Sequence, residues 1–593
     1  MTIPSGHRSV ETIKRNNRKK VYSNKNSVNI LTALLLKHGV SHTVVCPGSR
    51  NAPIVHDLDV CPLITCHPVT DERSAGFVAL GMSQQLQAPV AVCVTSGSAL
   101  LNLSPAVAEA FYQQVPLVVI SADRPTMWID QLDGQTIWQA GALGLLVKKA
   151  VSLPEPADAA TDEWWHCNRL VNEALIAATA DGMGPVHINV PISEPLFDFC
   201  VDSLPDERVI RAIPMSTDSD LVAHELLPRF FSARRPMIVV GQTKTPFLSA
   251  DDAPCYDLVS RYAVVLHEAL SDLPHRSHFD EALIAIASNP DFRPDFVLVL
   301  GGTLVSKRLK QFLRSCNHTT FATVSESGQL ADTFTHLSLL VKARPTDVLR
   351  LIAQATTQIA DEPQDADTPA AFHRRWHQIL TLTADHATHF SPSFSQMVAV
   401  KCFEQGLTLS GRTWSVHYAN SSAVRLANIY ADHYVCCNRG VNGIEGSLSA
   451  AVGCALAATH NVACVVGDLS FFYDQNALWN QQLRGNLRIL LLNNGGGGIF
   501  RQLKGLEKSA ARDALVAASH HTSAEGICRQ CDVVYLSART QQQLQAAMPQ
   551  LLTDTSPRPV LLEVFTDATT DALALSTYLN SLLHQLKTAV RAT

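Results

Sequence analysis

Residues 465–500 read VVGDLSFFYDQNALWNQQLRGNLRILLLNNGGGGIF. Two short apolar runs, Val462 to Val466 and Ile489 to Leu492, flank a segment of helical composition. The first run ends on Gly467-Asp468, the second on Asn493-Asn494 followed by four glycines. Apolar strands joined by a helix describe one βαβ unit of a parallel sheet covered on both faces. In such sheets ligands sit beyond the carboxyl ends of the strands. If the two strands are neighbours, Asp468 and Asn494 meet there. A carboxylate, an amide oxygen and a backbone carbonyl make an incomplete octahedron, which magnesium completes with phosphate oxygens and water. Ser470 is expected to open the intervening helix, whose free N–H groups favour an anion. Gly495 to Gly498 let backbone approach a diphosphate with no Cβ in the way. The stretch therefore reads as a metal-bridged diphosphate site, with an aspartate cap and an Asn-Gly turn as the plainer alternative. A nucleotide P-loop is excluded, because no GxxxxGK[ST] occurs.

The same alternation runs along the chain. Ser27 to His38 has helical spacing and stops at Gly39, and HTVVCPGSR (42–50) is a short strand ending in a turn. PVAVCVTSGSALLNLSPAVAEAFYQQVPLVVISADRP (89–125) reads strand, turn, helix, strand, polar loop. VDSLPDERVIRAIPMSTDSD (201–220) looks like a linker, followed by the strand signals PMIVVG (236–241) and DFVLVLGG (295–302). The acidic run ADEPQDADTPAA (360–371) begins a second polar connection. The fold class expected is α/β, with three doubly wound parallel-sheet domains. Their limits are a basic leader at 1–26, a first domain at 27–205, a central domain with linkers at 206–385, and a third domain at 386–593.

At 593 residues the chain is too long for one core. Its composition, 46% apolar and 17% charged, is that of an ordinary globular protein. A net charge of −6 argues against nucleic-acid binding, so an anionic ligand must be held by local clusters of cations. No apolar run approaches the roughly 20 residues that span a bilayer. The first residues lack an apolar signal core, and KRNNRKK (14–20) reads as a solvated tail or, alternatively, a phosphate- or membrane-attracted arm. Fifteen cysteines, several inside apolar runs (Cys46, Cys93, Cys464), fit reduced thiols in cytoplasm. One CxxC (Cys528, Cys531) has His520 and His521 upstream, but neither a second pair nor the usual zinc spacing.

Five strand ends are polar: PGSR (47–50), TSGSA (95–99), SADRP (121–125), GGTLVSKR (301–308) and GDLS…NNGGGG. Gly467-Asp468 followed after a helix by Asn493-Asn494 resembles the thiamine-diphosphate fingerprint, with Leu469 in place of the usual third glycine. Asp71-Glu72-Arg73, before a helix, resembles its partner motif, in which the glutamate binds the aminopyrimidine ring of the cofactor and acts as proton carrier. CPGSRNAPIVHDL, TDERSAGFVALG, VTSGSALLNLSPAVAEA, SADRP, NSSAVR, NRGVNGIEG and GDLSFFYDQNALW together resemble the 2-succinyl-5-enolpyruvyl-6-hydroxy-3-cyclohexene-1-carboxylate synthase family of menaquinone synthesis. The resemblance covers about residue 28 to the carboxyl end and leaves out the leader.

That resemblance implies decarboxylation of 2-oxoglutarate on thiamine diphosphate and addition of the resulting carbanion to isochorismate. It makes the first domain pyrimidine-binding and the third diphosphate-binding. Glu72 is the implied catalytic residue. Substrate contacts are implied for Ser49, Arg50, Arg124, Gln135, Lys307, Ser421, Arg425, Arg439 and Phe500. Both substrates are dianions, for which arginine offers a bidentate fork. Implied cofactor contacts, besides Glu72, are Ser98, Ile444, Gly467, Asp468, Leu469, Ser470, Asn494 and Ile499. Ile444 would wedge between the cofactor's rings. Magnesium, or manganese in its place, would be held by Asp468, Asn494 and the Gly496 carbonyl. The partners implied are the two small-molecule substrates and a second copy of the chain, as a homodimer or homotetramer with active sites between subunits. Glu445, Asn442 and Ser98 depart from the commoner family residues but keep an acid or a hydrogen-bonding group. The rival readings are another thiamine-diphosphate-dependent carboligase or decarboxylase, and a non-catalytic cofactor-binding relative.

Overall fold

The structure is a computed structural model. It describes residues 21–159, 161–212, 218–357, 368–503, 505–553 and 555–592. The basic run at 14–20 and the acidic connection at 360–367 lie outside the described residues.

The strands, in chain order, are β1 (Tyr22–Ser23), β2 (His42–Val45), β3 (Thr65–Pro68), β4 (Val90–Val94), β5 (Leu117–Asp123), β6 (Lys149–Ser152), β7 (Val186–Pro191) and β8 (Phe199–Val201). They continue with β9 (Pro236–Val240), β10 (Val264–His267), β11 (Phe296–Leu300), β12 (Thr320–Val324) and β13 (Leu337–Val341). The last five are β14 (Trp414–Tyr418), β15 (Asn461–Gly467), β16 (Leu487–Asn493), β17 (Val534–Ala538) and β18 (Val560–Phe565). Three parallel sheets result, ordered β3-β2-β4-β5-β7-β6, β10-β9-β11-β12-β13 and β14-β15-β16-β18-β17. Each is an α/β layer of the expected class.

Burial explains the unbroken apolar runs. In β4, Val90, Val92 and Val94 enter one core while Ala91 and Cys93 enter the core on the opposite face. In β9, Met237 and Val239 face one cluster, Ile238 and Val240 the other. A strand covered by helices on both sides reads as a near-continuous apolar run. The polar exceptions inside the strands, such as His187, Asn189 and Glu563, are buried and hydrogen-bonded.

The first and third sheets share a core. Helix Glu72–Leu86 of the first domain lies on helix Ser447–Ala457 of the third. A Cβ on Gly81 would sit 2.0 Å from the Ala450 carbonyl oxygen, and one on Gly453 the same 2.0 Å from that of Val78. Glycine at both positions lets the two backbones touch. The helix Ala568–Ala592 returns from the third domain to the central one, where Leu582 and Leu586 pack with Phe372 and Trp376.

Two segments differ from the expected division. Residues 22 and 23, placed with the leader, form β1, which pairs antiparallel with β8. Ser23 donates its N–H (2.6 Å) and its hydroxyl (2.9 Å) to the buried carboxylate of Asp57. The helix after Gly467 spans only Asp468–Tyr473, followed by a 3-10 turn at Gln475–Leu478. Ser470 is therefore its third residue rather than its first.

Candidate active site

β15 and β16 are neighbours, with Gly467 opposite Leu492. That register brings Asp468 and Asn494 together at the carboxyl edge of the third sheet. Asp468 is buried, and its Oδ2 accepts the N–H groups of Asn494 (3.1 Å), Gly495 (2.8 Å) and Gly496 (2.9 Å). Oδ1 accepts from Leu469 N at 2.7 Å. Burial raises the pKa of Asp468, and the N–H groups of Gly496 and Leu469 with the nearby His520 ring oppose that rise. Gly495 (φ 79°) and Gly496 (φ 148°) take backbone angles that suit glycine, and a Cβ on Gly496 would come 2.7 Å from the Ala517 carbonyl.

Donor chemistry at this edge suits a hard divalent cation. Asn494 gives its Nδ2 to Asp571 Oδ2 at 2.8 Å, which leaves the amide oxygen for another partner. Asp468 Oδ1 accepts one N–H and keeps a lone pair, as does the Gly496 carbonyl, which accepts from Gly498 N at 2.9 Å. For the diphosphate, the cap residue Gly467 lays no side chain over the helix end, and no atom lies within 4 Å of where its Cβ would be. Ser470 is buried in the first turn and Leu469 is half-buried beside it.

Glu72 opens its helix, which Asp71 caps by accepting from Arg73 N (2.9 Å) and Ser74 N (3.4 Å). The flanking residues grip the third domain of the same chain. Arg73 donates to the Tyr473 carbonyl (2.6 Å) and covers the Tyr473 ring, while Asn476 donates to Asp71 Oδ2 (2.8 Å). The Glu72 carboxylate itself is half-exposed and accepts from Asn102 Nδ2 at 3.2 Å. Within one chain it is hydrogen-bonded to its own domain and not to Asp468 or Asn494.

The candidate substrate residues fall into two groups. At the edge of the first sheet lie Ser49, Arg50, Arg124 and Gln135, with the candidate cofactor residue Ser98 beside them. Arg50 is buried and bonds the Ile192 carbonyl (2.9 Å) and Glu194 (3.0 Å). It lies near Asp123, whose carboxylate accepts Arg124 N at 2.8 Å. Gln135 (φ 58°) backs onto Gly97, where a Cβ would meet it at 3.1 Å. Ser49, Ser98 and Gln135 are exposed. Beneath them Gln139, which the sequence did not single out, accepts Gly97 N (2.6 Å) and donates to Asn189 Oδ1 (2.8 Å).

The second group is Lys307, Ser421, Arg425 and Arg439, between the central and third domains. Burial, and then the neighbouring Arg439, lower the pKa of Arg425. Arg425 Nη1 and Arg439 Nε are buried donors without a partner. Arg425 shares a cleft with Asn494, Ile499 and Asp571, with an empty volume of about 540 Å³ including its open mouth. Phe500, next in sequence to the cleft residue Ile499, is half-buried, and Ile444 is 44% exposed. Lys310, whose pKa burial lowers, joins the same field as Lys307 and Arg439. Underneath, burial pushes Glu268 up to about 7, although Val305 N and Ser306 N both donate to it at 2.7 Å. Arg308, which closes the VSKR motif and lies in the same field as Arg425, was not singled out, and Lys310, Glu268, Asp571 and Gln139 were missed. Only adjacency to VSKR could have marked Lys310.

His520 faces Asp468 (3.4 Å) rather than Cys528, whose buried thiol is pushed up to about 12. Among the described residues no group of three or more His, Cys, Asp or Glu could hold a metal ion.

Comparison with known proteins gives the family and the fold. The family described as "Thiamine pyrophosphate enzyme, N-terminal TPP binding domain" matches residues 25–142, and "Thiamine pyrophosphate enzyme, C-terminal TPP binding domain" matches 419–564. A benzoylformate decarboxylase from Polynucleobacter necessarius shares the fold with TM-score 0.69, at 16% identity, over 92% of this chain and 99% of that one. A 2-succinyl-5-enolpyruvyl-6-hydroxy-3-cyclohexene-1-carboxylate synthase of Bacteroides fragilis is 44% identical over 96% of this chain and its own full length. That of Bacteroides thetaiotaomicron is 43% identical with the same coverage. The Flavobacterium johnsoniae protein of that name is 34% identical over 92% of this chain and 96% of its own. By kinship along almost its whole length, the chain belongs to the 2-succinyl-5-enolpyruvyl-6-hydroxy-3-cyclohexene-1-carboxylate synthase family of thiamine-diphosphate enzymes.

Proposed function

We propose that this chain decarboxylates 2-oxoglutarate and joins the remaining four-carbon unit to isochorismate, in the cytoplasm, with thiamine diphosphate and magnesium or manganese. The observation that carries this is the cleft holding Asn494 and Arg425, with Arg439 next to Arg425. Unpartnered guanidinium donors beside a diphosphate-type edge suit dianionic substrates, whereas a small neutral substrate has no use for them. When bound, thiamine diphosphate supplies the electron sink for the carbanion. Asp468, Asn494 and the Gly496 carbonyl would hold the cation, and Gly467, Leu469 and Ser470 the phosphates. Ser98, Ile444 and Ile499 would shape the rest of the cofactor pocket. Arg425, Arg439 and Lys307 bind substrate carboxylates, Ser421 and Phe500 stand next in sequence to the cleft residues Ser422 and Ile499, and Glu72 holds and returns a proton.

A second copy completes the site in this reading. Glu72, Ser49, Arg50, Arg124 and Gln135 sit on the first domain, whereas Arg425 and Arg439 belong to the third and Lys307 to the central one. Met127, Trp128, Leu132, Trp138 and Leu145 leave an apolar surface after β5, and Ile444, Tyr473 and Trp479 leave another on the third domain. Exposed apolar surface on that scale marks an interface. A homodimer, alone or paired into a tetramer, covers both.

The test is product analysis. Purified protein with cofactor and magnesium should release carbon dioxide and form the adduct from 2-oxoglutarate plus isochorismate, and should do neither with pyruvate alone. Turnover of pyruvate in place of 2-oxoglutarate would point to another carboligase of the superfamily.

A further inference from the structure

Helix Ser104–Gln113 of the first domain carries a carboxylate that none of the roles above uses. Glu109 is 2% exposed, and its partners lie in the third domain, 331 and 332 residues along the chain. Oε1 accepts Gly440 N at 2.7 Å and Oε2 accepts Val441 N, also at 2.7 Å. Gln113, one turn on, donates to Glu109 Oε1 and at 3.5 Å to the Cys437 carbonyl. Gln242 of the central domain donates to that same carbonyl at 2.8 Å.

The segment so held, residues 437–443, has no helix or strand of its own. Its other flank is held by Asn420, whose Nδ2 donates to the carbonyls of Asn438 (2.7 Å) and Gly443 (2.8 Å). Arg439 lies between the two clamps and donates Nη1 to Asn420 Oδ1 at 2.9 Å. Fit on the Glu109 side is tight: a Cβ on Gly440 would lie 2.9 Å from the Glu109 carbonyl oxygen. A loop without a ladder keeps its place only through such contacts, and a buried carboxylate stays in such a place only if its acceptors are filled.

We propose that Glu109 is a positioning residue for Arg439: by fixing the N–H groups of the 439–440 and 440–441 peptides, it aims the guanidinium at a substrate carboxylate. The inference rests on the function proposed above. It concerns binding rather than chemistry, because Glu109 touches neither reacting atoms nor cofactor.

In Glu109→Gln the side-chain volume is kept, but an amide NH2 must face one of the two N–H donors, so the loop shifts. Steady-state kinetics should show the KM of one dicarboxylate substrate rising about tenfold while kcat changes less than about twofold, the pattern of lost ground-state binding. Because the effect runs through Arg439, the double variant Glu109→Gln/Arg439→Lys should be no worse than Arg439→Lys alone. Gly440→Ala, which presses on the same clamp from the loop side, should reproduce the KM change if Glu109→Gln fails to fold. Additive losses in the double variant, or wild-type KM values in both Glu109→Gln and Gly440→Ala, would overturn the proposal while the wild type remains active. A wild type that makes no adduct overturns the functional reading and this one together.

Discussion

Asn494 shows how one amide is told which way to point. Its Nδ2 is claimed by Asp571 Oδ2, which also accepts Thr566 Oγ1 (2.9 Å), while Oδ1 of the same aspartate accepts Gln396 N (2.8 Å). A carboxylate only accepts, so it is the amide nitrogen that faces Asp571 and the oxygen that stays available for another partner. Asp571→Ala should weaken magnesium binding by about 10- to 100-fold in calorimetric titration, the usual cost of losing a second partner behind a ligand. Glu72→Gln keeps size and hydrogen bonding but removes the exchangeable proton. Turnover should fall by about 10²- to 10⁴-fold with cofactor affinity unchanged. Glu268 gives a pH signature. Its folded-state pKa of about 7 stands above the ordinary carboxyl value, so the folded chain holds a proton that the unfolded chain has lost. That group therefore costs stability progressively as pH rises from the ordinary carboxyl range to about 7, and no further above it. In denaturant titrations at stepped pH, wild type should lose stability relative to Glu268→Gln over that window. At this scale Arg50, Lys307, Arg425 and Asp468 could be named as candidates from sequence because each lies in a local motif. Asp571 was not: it stands 77 residues from the amide it orients, in a helix with no motif of its own.

Among elements, the strands were readable and the segment between β15 and β16 was not. Strand positions follow from local apolar runs whose residues are buried on both faces, so each run carries its own evidence. The helix after Gly467 was expected to fill the connection, yet it stops at Tyr473. What stops it lies elsewhere in the chain: Arg73 takes the Tyr473 carbonyl, Asp71 takes Asn476, and His67 pairs with Gln482 at 3.0 Å. Buried Asp474 turns inward to accept the N–H (2.7 Å) and hydroxyl (2.6 Å) of Ser449. Composition alone cannot report partners 400 residues away. The crossing of helices Glu72–Leu86 and Ser447–Ala457 is the element on which the two cofactor-binding domains are aligned. With no room for a Cβ against the Val78 carbonyl, Gly453→Ala must push the helices apart. It should cost about 1–3 kcal/mol or more in thermal unfolding, the range for overpacking. It should also weaken cofactor binding although Gly453 belongs to no site.

For the whole molecule, the distribution of charge decides where an active site can be. A pocket for two dianions needs its cations within reach of one another, because screening in salt removes their mutual field beyond about 8 Å. The chain instead divides them, Arg50 and Arg124 on one domain and Lys307, Arg425 and Arg439 between the other two. Glu72 likewise stays on the first domain while Asp468 and Asn494 sit on the third. The two-fold dimer proposed above would resolve this without moving either group, with each copy lending its first domain to the other's cleft. The arrangement makes a prediction no single-chain site can satisfy. Glu72→Gln and Asp468→Ala should each be inactive alone. In a mixed dimer, one site takes both substitutions and the other takes none. Co-expression with two affinity tags, or mixing after mild dissociation, should therefore restore about a quarter of wild-type turnover if subunits pair at random. Purified mixed dimers should reach about half, for the same reason. Were both halves of the site to come from one chain, every subunit in the mixture would stay defective, and no turnover would return.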